Sequence, residues 1–310
     1  MINRQNENKE FSTLAALFTS FLCTVFGANA VAIKISLSGL GVFTTAGLRF
    51  SMAALAVLVW AVATRQSIYP KKEQLYQLLI LSLVFIVRMS LLYLGLSKTH
   101  ASRAVLLINL QPFFVLLLAH YFIPGDQITK RKILGLLIGF VGIFFVFLEG
   151  KDVTADFRIG DFMILSTTIM WACSTIYMKR ILSTFEPFQI VLYQMAIAAP
   201  FFFLEAFLWD RTMIIFMDSR VLAALLYQSL ITASWGFVIW TNLLQKYGAV
   251  SLHSFIFIMP VAGVLLAGLL LGEPITRNIL LALVLVASGI LVVHFKPRKT
   301  TPLFLPGRGV

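Results

Sequence analysis

Long stretches without a single Asp, Glu, Lys or Arg constrain this chain more than any other feature. They occupy 11–33, 104–125, 133–148, 162–178, 187–204, 221–245, 247–272 and 278–295. A helix of roughly 20 apolar residues crosses the ~30 Å hydrocarbon core of a bilayer. No water is available there to pair an open strand or loop, so such stretches span as helices. Two further stretches, 42–64 and 75–97, are nearly as apolar and hold one arginine each, Arg49 and Arg88. These readings predict an all-α integral membrane protein with ten transmembrane helices and no stretch left over for a soluble domain. Composition agrees, with 59% hydrophobic and 12% charged residues, against roughly 45–50% and about 25% in soluble domains.

In a soluble protein a net charge of +12 would suggest nucleic acid, but these basic residues fall between the apolar runs. That is the signature of topology rather than of nucleic-acid binding. With both termini on the cytoplasmic side, fifteen Lys and Arg lie inside and eight outside, leaving Arg49 and Arg88 within the membrane. Lys and Arg bias orients helices, so this arrangement is the expected one. The stretch ending in Ala28-Asn29-Ala30 resembles a signal-peptide cleavage site. Glu7 and Glu10 precede it, however, and it supplies the first helix of a repeat, so an uncleaved helix is expected. Cys23 and Cys173 both lie in apolar runs and read as small buried residues.

The two halves of the chain match each other in order. Phe26-Gly27-Ala28-Asn29 through Lys34 parallels Trp171-Ala172-Cys173-Ser174 through Lys179 at an offset of 145. The stretch from Lys98 to Pro112 parallels that from Lys246 to Pro260 at 148, and Gly125-Asp126-Gln127-Ile128-Thr129 parallels Gly272-Glu273-Pro274-Ile275-Thr276 at 147. Each half holds five helices. An odd number inserts the second half upside down, giving the two inverted five-helix repeats of many secondary transporters. The expected organisation is a tail at 1–10, a first repeat at 11–148, a linker at 149–158, a second repeat at 159–295 and a tail at 296–310.

At these positions the sequence resembles the EamA branch of the drug/metabolite transporter superfamily. The resemblance rests on Phe26-Gly27 and Trp171-Ala172, on Leu48-Arg49-Phe50, on Pro112 and Pro260, and on the stretch from Gly272 to Thr276. It implies a multi-pass carrier of small metabolites in a bacterial inner membrane, with a central cavity lined by its third, fourth, eighth and ninth helices. No cofactor is implied, and the only partners expected are a small-molecule substrate and membrane lipid around a monomer.

An ionisable residue deep in a span usually faces protein or a water-filled cavity. At 1.5 Å rise per residue, Arg88 sits roughly 20 Å from one end of its span and about 14 Å from the other, beyond the reach of snorkelling. Two readings stay open: it holds a substrate carboxylate or phosphate, or it caps carbonyls freed by Pro112 or Pro260. Arg49 lies closer to a helix end and reads as structural. Further candidates for the substrate site are Asn109, Trp235, Trp240, Asn242, His253, Phe257, Trp171, Tyr177 and Asn29. Gln228, Trp235 and Asn242 recur every seven residues, and His253 and Phe257 are four apart, so each set shares a helical face. Interhelical hydrogen bonding and aromatic packing are the competing reading for each. Pro112 and Pro260, with Pro200, remove backbone bonds in mid-span, which makes the first two candidate hinges.

A membrane enzyme needs clustered catalytic or metal groups, and no His-Glu-x-x-His, paired Asp, nucleophile triad or phosphate loop is present. Coupling stays open between protonation of His253 and passive exchange driven by the membrane potential. The expected function is alternating-access export of amino acids or related carboxylates. The alternatives are an importer or exchanger of a larger anionic metabolite of the nucleotide-derivative type, or a multidrug exporter.

Overall fold

The computed structural model of the chain describes residues 13–122, 130–148, 155–181, 184–243 and 255–294. Among these residues the expected spans form α1 Thr13–Gly39, α2 Val42–Ala63, α3 Leu75–Lys98, α4 Ala101–Phe122 and α5 Lys130–Leu148. The second half forms α6 Ala155–Ile181, α7 Pro187–Trp209, α8 Ser219–Leu243, α9 Ile258–Leu271 and α10 Arg277–His294. Leu17, Phe144, Phe207 and Leu269 stand more than half exposed on the outside of the bundle, as lipid-facing side chains must.

The packing carries the expected twofold relation. α2 packs on α7, α4 on α9 and α5 on α10, each helix meeting its own repeat partner. Two further sets of contacts come in exchanged pairs: α3 with α6 mirrors α8 with α1, and α1 with α9 mirrors α6 with α4. The crossing of α5 and α10 shows why small residues sit where they do. A Cβ on Gly135 would lie 2.7 Å from the Gly289 carbonyl oxygen, and one on Gly142 would lie 3.2 Å from that of Ala282. At the offset of 147, Gly135 maps to Ala282 and Gly142 to Gly289, so one contact is the image of the other.

Three helices depart from regularity, each for a local reason. α1 bends at Gly27, where a Cβ would meet the Met259 carbonyl oxygen of α9 at 2.6 Å. α4 breaks between Ile108 and Gln111. Pro112 has no N–H for the Ile108 carbonyl, and the Asn109 side chain instead donates to the Val105 carbonyl at 2.8 Å. Its repeat partner Pro260 likewise stands in the first turn of α9, after a turn at 255–257. Pro200 behaves differently from expectation: α7 runs on through it without a break. In α8 the stretch Tyr227–Gly236 is π-helical, with Ser229 and Thr232 hydroxyls donating to the Leu225 and Gln228 carbonyls.

One face of the bundle is tightly tied. The Asp210 carboxylate accepts from the Phe43 and Thr44 amides at 3.2 and 2.8 Å, capping α2. Glu273 does the same for α4, accepting from the Ala101 and Ser102 amides at 2.7 and 2.9 Å, with His100 Nδ1 3.6 Å away. A carboxylate suits the positive end of a helix. Lys34 donates to the Leu96 and Thr99 carbonyls at the end of α3, both at 2.7 Å. Arg103 is buried and forms an ion pair with fully buried Asp161, which also accepts from Thr99. Cys173 is exposed, not buried as its apolar run suggested; Cys23 is buried.

Candidate functional site

Behind that tied face lies a cavity of about 250 Å³, walled by α1, α2, α3, α4, α6, α7, α8 and α9. The wall draws on more helices than the four that the resemblance implied. Its residues nearest the tied face, Ile33 and Leu96, are fully buried. Ser174, Thr175, Met178, Gln194 and Thr241, in the other half, are partly exposed. Met178 and Thr241 stand within a turn of the described ends of α6 and α8. The cavity therefore widens toward the face where α1 starts.

Arg88 forms part of the wall, 6% exposed, and its Nε and Nη1 have no hydrogen-bond partner. Its guanidinium carbon stacks 4.6 Å from the Trp171 ring centre and 5.2 Å from that of Phe85. Cation–π contact of this kind holds a guanidinium flat while its N–H edge stays unused. Neither Nε nor Nη1 reaches a carbonyl freed by Pro112 or Pro260. Asn29, Asn109, Pro112, Trp171 and Trp240 line the same cavity.

The other candidates lie elsewhere. Trp235 packs edge-on against Phe18 at 5.9 Å, and Asn242 is exposed. Their seven-residue recurrence assumes an α-helical period, and the π-helical turns between Gln228 and Gly236 shift the register. Tyr177 packs with Leu78, Leu81, Phe185 and Ile190 between α3, α6 and α7. Phe257 and Pro260 are outside the lining; Phe257 packs against the core and Pro260 is buried in α9. His253 lies outside the described residues.

Sequence reasoning missed a polar network that anchors the second arginine. Arg49 donates from Nη1 to the Tyr93 hydroxyl and from Nη2 to Thr232 Oγ1, both at 3.2 Å. Tyr93 donates to Gln228 Oε1 at 2.8 Å and Gln228 Nε2 to Ser36 Oγ at 2.7 Å, while Asn29 Oδ1, 2.9 Å from Thr232 Oγ1, shares that hydroxyl's proton with the Gln228 carbonyl. The network joins α1, α2, α3 and α8, which supports the structural reading of Arg49, yet its Nε remains unpartnered and the residue forms part of the cavity wall. Gln111, which donates to Thr175 at 3.2 Å, and Gln194 also line the cavity. Their signal in the sequence is an amide inside an apolar run.

Two inverted helical repeats around a central cavity define a multi-pass membrane transporter. The EamA-like transporter family matches residues 13–148 and again 158–295. The chain belongs to this family and is a transporter, not an enzyme. It is 23% identical to the uncharacterized transporter YvbV of Bacillus subtilis, over 92% of this chain and 93% of that one. It is 26% identical to a probable amino-acid metabolite efflux pump of Escherichia coli, over 87% and 91% of the two chains. A crystal structure of a protein 16% identical superposes with a TM-score of 0.69, covering 91% of this chain and 96% of that one, a likeness of fold alone.

Proposed function

We propose that this transporter exports amino acids or related carboxylate-bearing metabolites across a bacterial inner membrane by alternating access, with both termini cytoplasmic. The observation that carries the reading is the buried Arg88 guanidinium, stacked on rings and left with two unpartnered nitrogens in the cavity wall. A buried cation without a partner is strongly unfavourable, and a carboxylate fits its planar fork. With the termini inside, the cavity opens to the cytoplasm, the orientation in which an exporter loads. Relatives in Escherichia coli and Salmonella typhimurium that bear the name of probable amino-acid metabolite efflux pumps support the same class.

Counterflow in proteoliposomes, using labelled amino acids, organic acids and cationic drugs, tests the reading. Arg88→Ala should slow carboxylate exchange about tenfold or more, the scale of a lost charge-assisted hydrogen bond, while the protein stays folded by size-exclusion profile. Exchange confined to cations, or carboxylate exchange indifferent to the substitution, would overturn it.

A further inference from the structure

The cavity wall carries charge of one sign. Among the described residues that line it, the charged side chains are Arg49 and Arg88, 2% and 6% exposed. Between them three buried nitrogens have no partner: Arg49 Nε, Arg88 Nε and Arg88 Nη1. Four acids of the bundle are committed elsewhere: Asp161 to Arg103 and Thr99, Glu273 and Asp210 to helix starts, Glu205 to the Ser90 hydroxyl. None of them lines the cavity.

This inventory discriminates between carboxylates. A free amino acid brings a carboxylate and an ammonium, so its net charge leaves both guanidiniums uncompensated. Its ammonium meets two like charges and no carboxylate, after losing its water. The ring faces beside the anchor offer it no refuge, because the Arg88 guanidinium already stacks on Trp171 and Phe85. A solute whose nitrogen is acylated or absent avoids that penalty, and a neutral amide or keto group matches the side chains of Asn109, Gln111 and Gln194. Aromatic rings give another part of the wall a flat, apolar surface: Phe26 and Trp240 meet edge to face at 5.7 Å, with Phe237 6.0 Å from Phe26.

We infer that the cavity selects net-anionic carboxylates that lack a free ammonium and carry an aromatic or similarly flat apolar body, the chemical class of N-acylated aromatic amino acids and aryl 2-oxo acids. The inference rests on the cavity being the substrate site, and narrows that reading.

The experiment is counterflow in proteoliposomes with labelled phenylalanine, N-acetylphenylalanine and phenylpyruvate at equal concentration, wild type beside Arg88→Gln. The inference expects N-acetylphenylalanine and phenylpyruvate to exchange about tenfold faster than phenylalanine or more, with the advantage lost in Arg88→Gln. Phenylalanine exchanging as fast as its N-acetyl form, and still depending on Arg88, would overturn the inference while leaving carboxylate transport intact. If none of the three exchanges and cationic solutes do, both the inference and the proposed function fall.

Discussion

At the residue scale, what chain position reveals is a charge in the wrong solvent. Arg88 stands out in the sequence because a guanidinium in an apolar run demands an explanation, and the structure places it in a cavity wall. The network around Arg49 was not legible, because its acceptors lie 44 and 183 residues away and only the fold brings them together. The carboxylate caps were hidden for the same reason, since each acid sits in the repeat opposite the helix it caps. Glu273 yields a prediction with a sign. Burial works against its charge, but His100 and the donors of Ser102 and Ala101 outweigh this and hold the carboxyl down from 4.5 to about 2. A carboxylate with a lowered folded value stabilises fully above its unfolded value and loses that contribution as pH falls through the folded one. Glu273→Gln should therefore destabilise the purified protein by about 2 kcal/mol near neutral pH, read as a lower Tm. The difference from wild type should shrink between pH 4.5 and about 2; a difference independent of pH would show that the cap is not electrostatic.

At the element scale, periodicity is trustworthy only where the helix keeps its period. The ten spans were legible because length and apolarity in a bilayer leave the backbone one choice. The stripe drawn through Trp235 and Asn242 failed because π-helical turns intervene, a deviation that no residue in α8 announces. Proline divides by context: Pro112 and Pro260 sit in the first turns of helical segments, Pro112 in the cavity wall, whereas Pro200 is carried within a continuous α7. If the breaks bend during transport, Pro260→Ala, which supplies an N–H in the first turn of α9, should slow counterflow several-fold. Unchanged rate together with unchanged accessibility labelling would remove the hinge role.

At the scale of the whole molecule, the offsets of 145 to 148 foretold two inverted repeats, and the exchanged helix contacts realise them. What no offset can foretell is which end is shut, since near-identical halves describe both ends equally well. The described chain has its tied face closed, so in a background with Cys23 and Cys173 replaced by Ala, Ser174→Cys should react with a membrane-impermeant thiol reagent from the terminus side. Leu96→Cys, fully buried, should resist from both sides; rapid labelling of Leu96→Cys from the opposite side would contradict the closed face. The closure is also uneven between the halves. Glu273 and Lys34 have repeat counterparts in Asp126 and Lys179, but the stretches 13–16 and 62–65 that correspond to Asp161 and Asp210 contain no acid. The empty protein's two orientations therefore differ in free energy. For a carrier without an external energy source, detailed balance still fixes the same Vmax/KM in both directions. The imbalance must surface instead as kinetic asymmetry: where return of the empty carrier limits the cycle, solute loaded on the side where the empty cavity rests open meets a higher KM and a higher Vmax together, and the opposite side saturates earlier, without either direction being favoured at equilibrium.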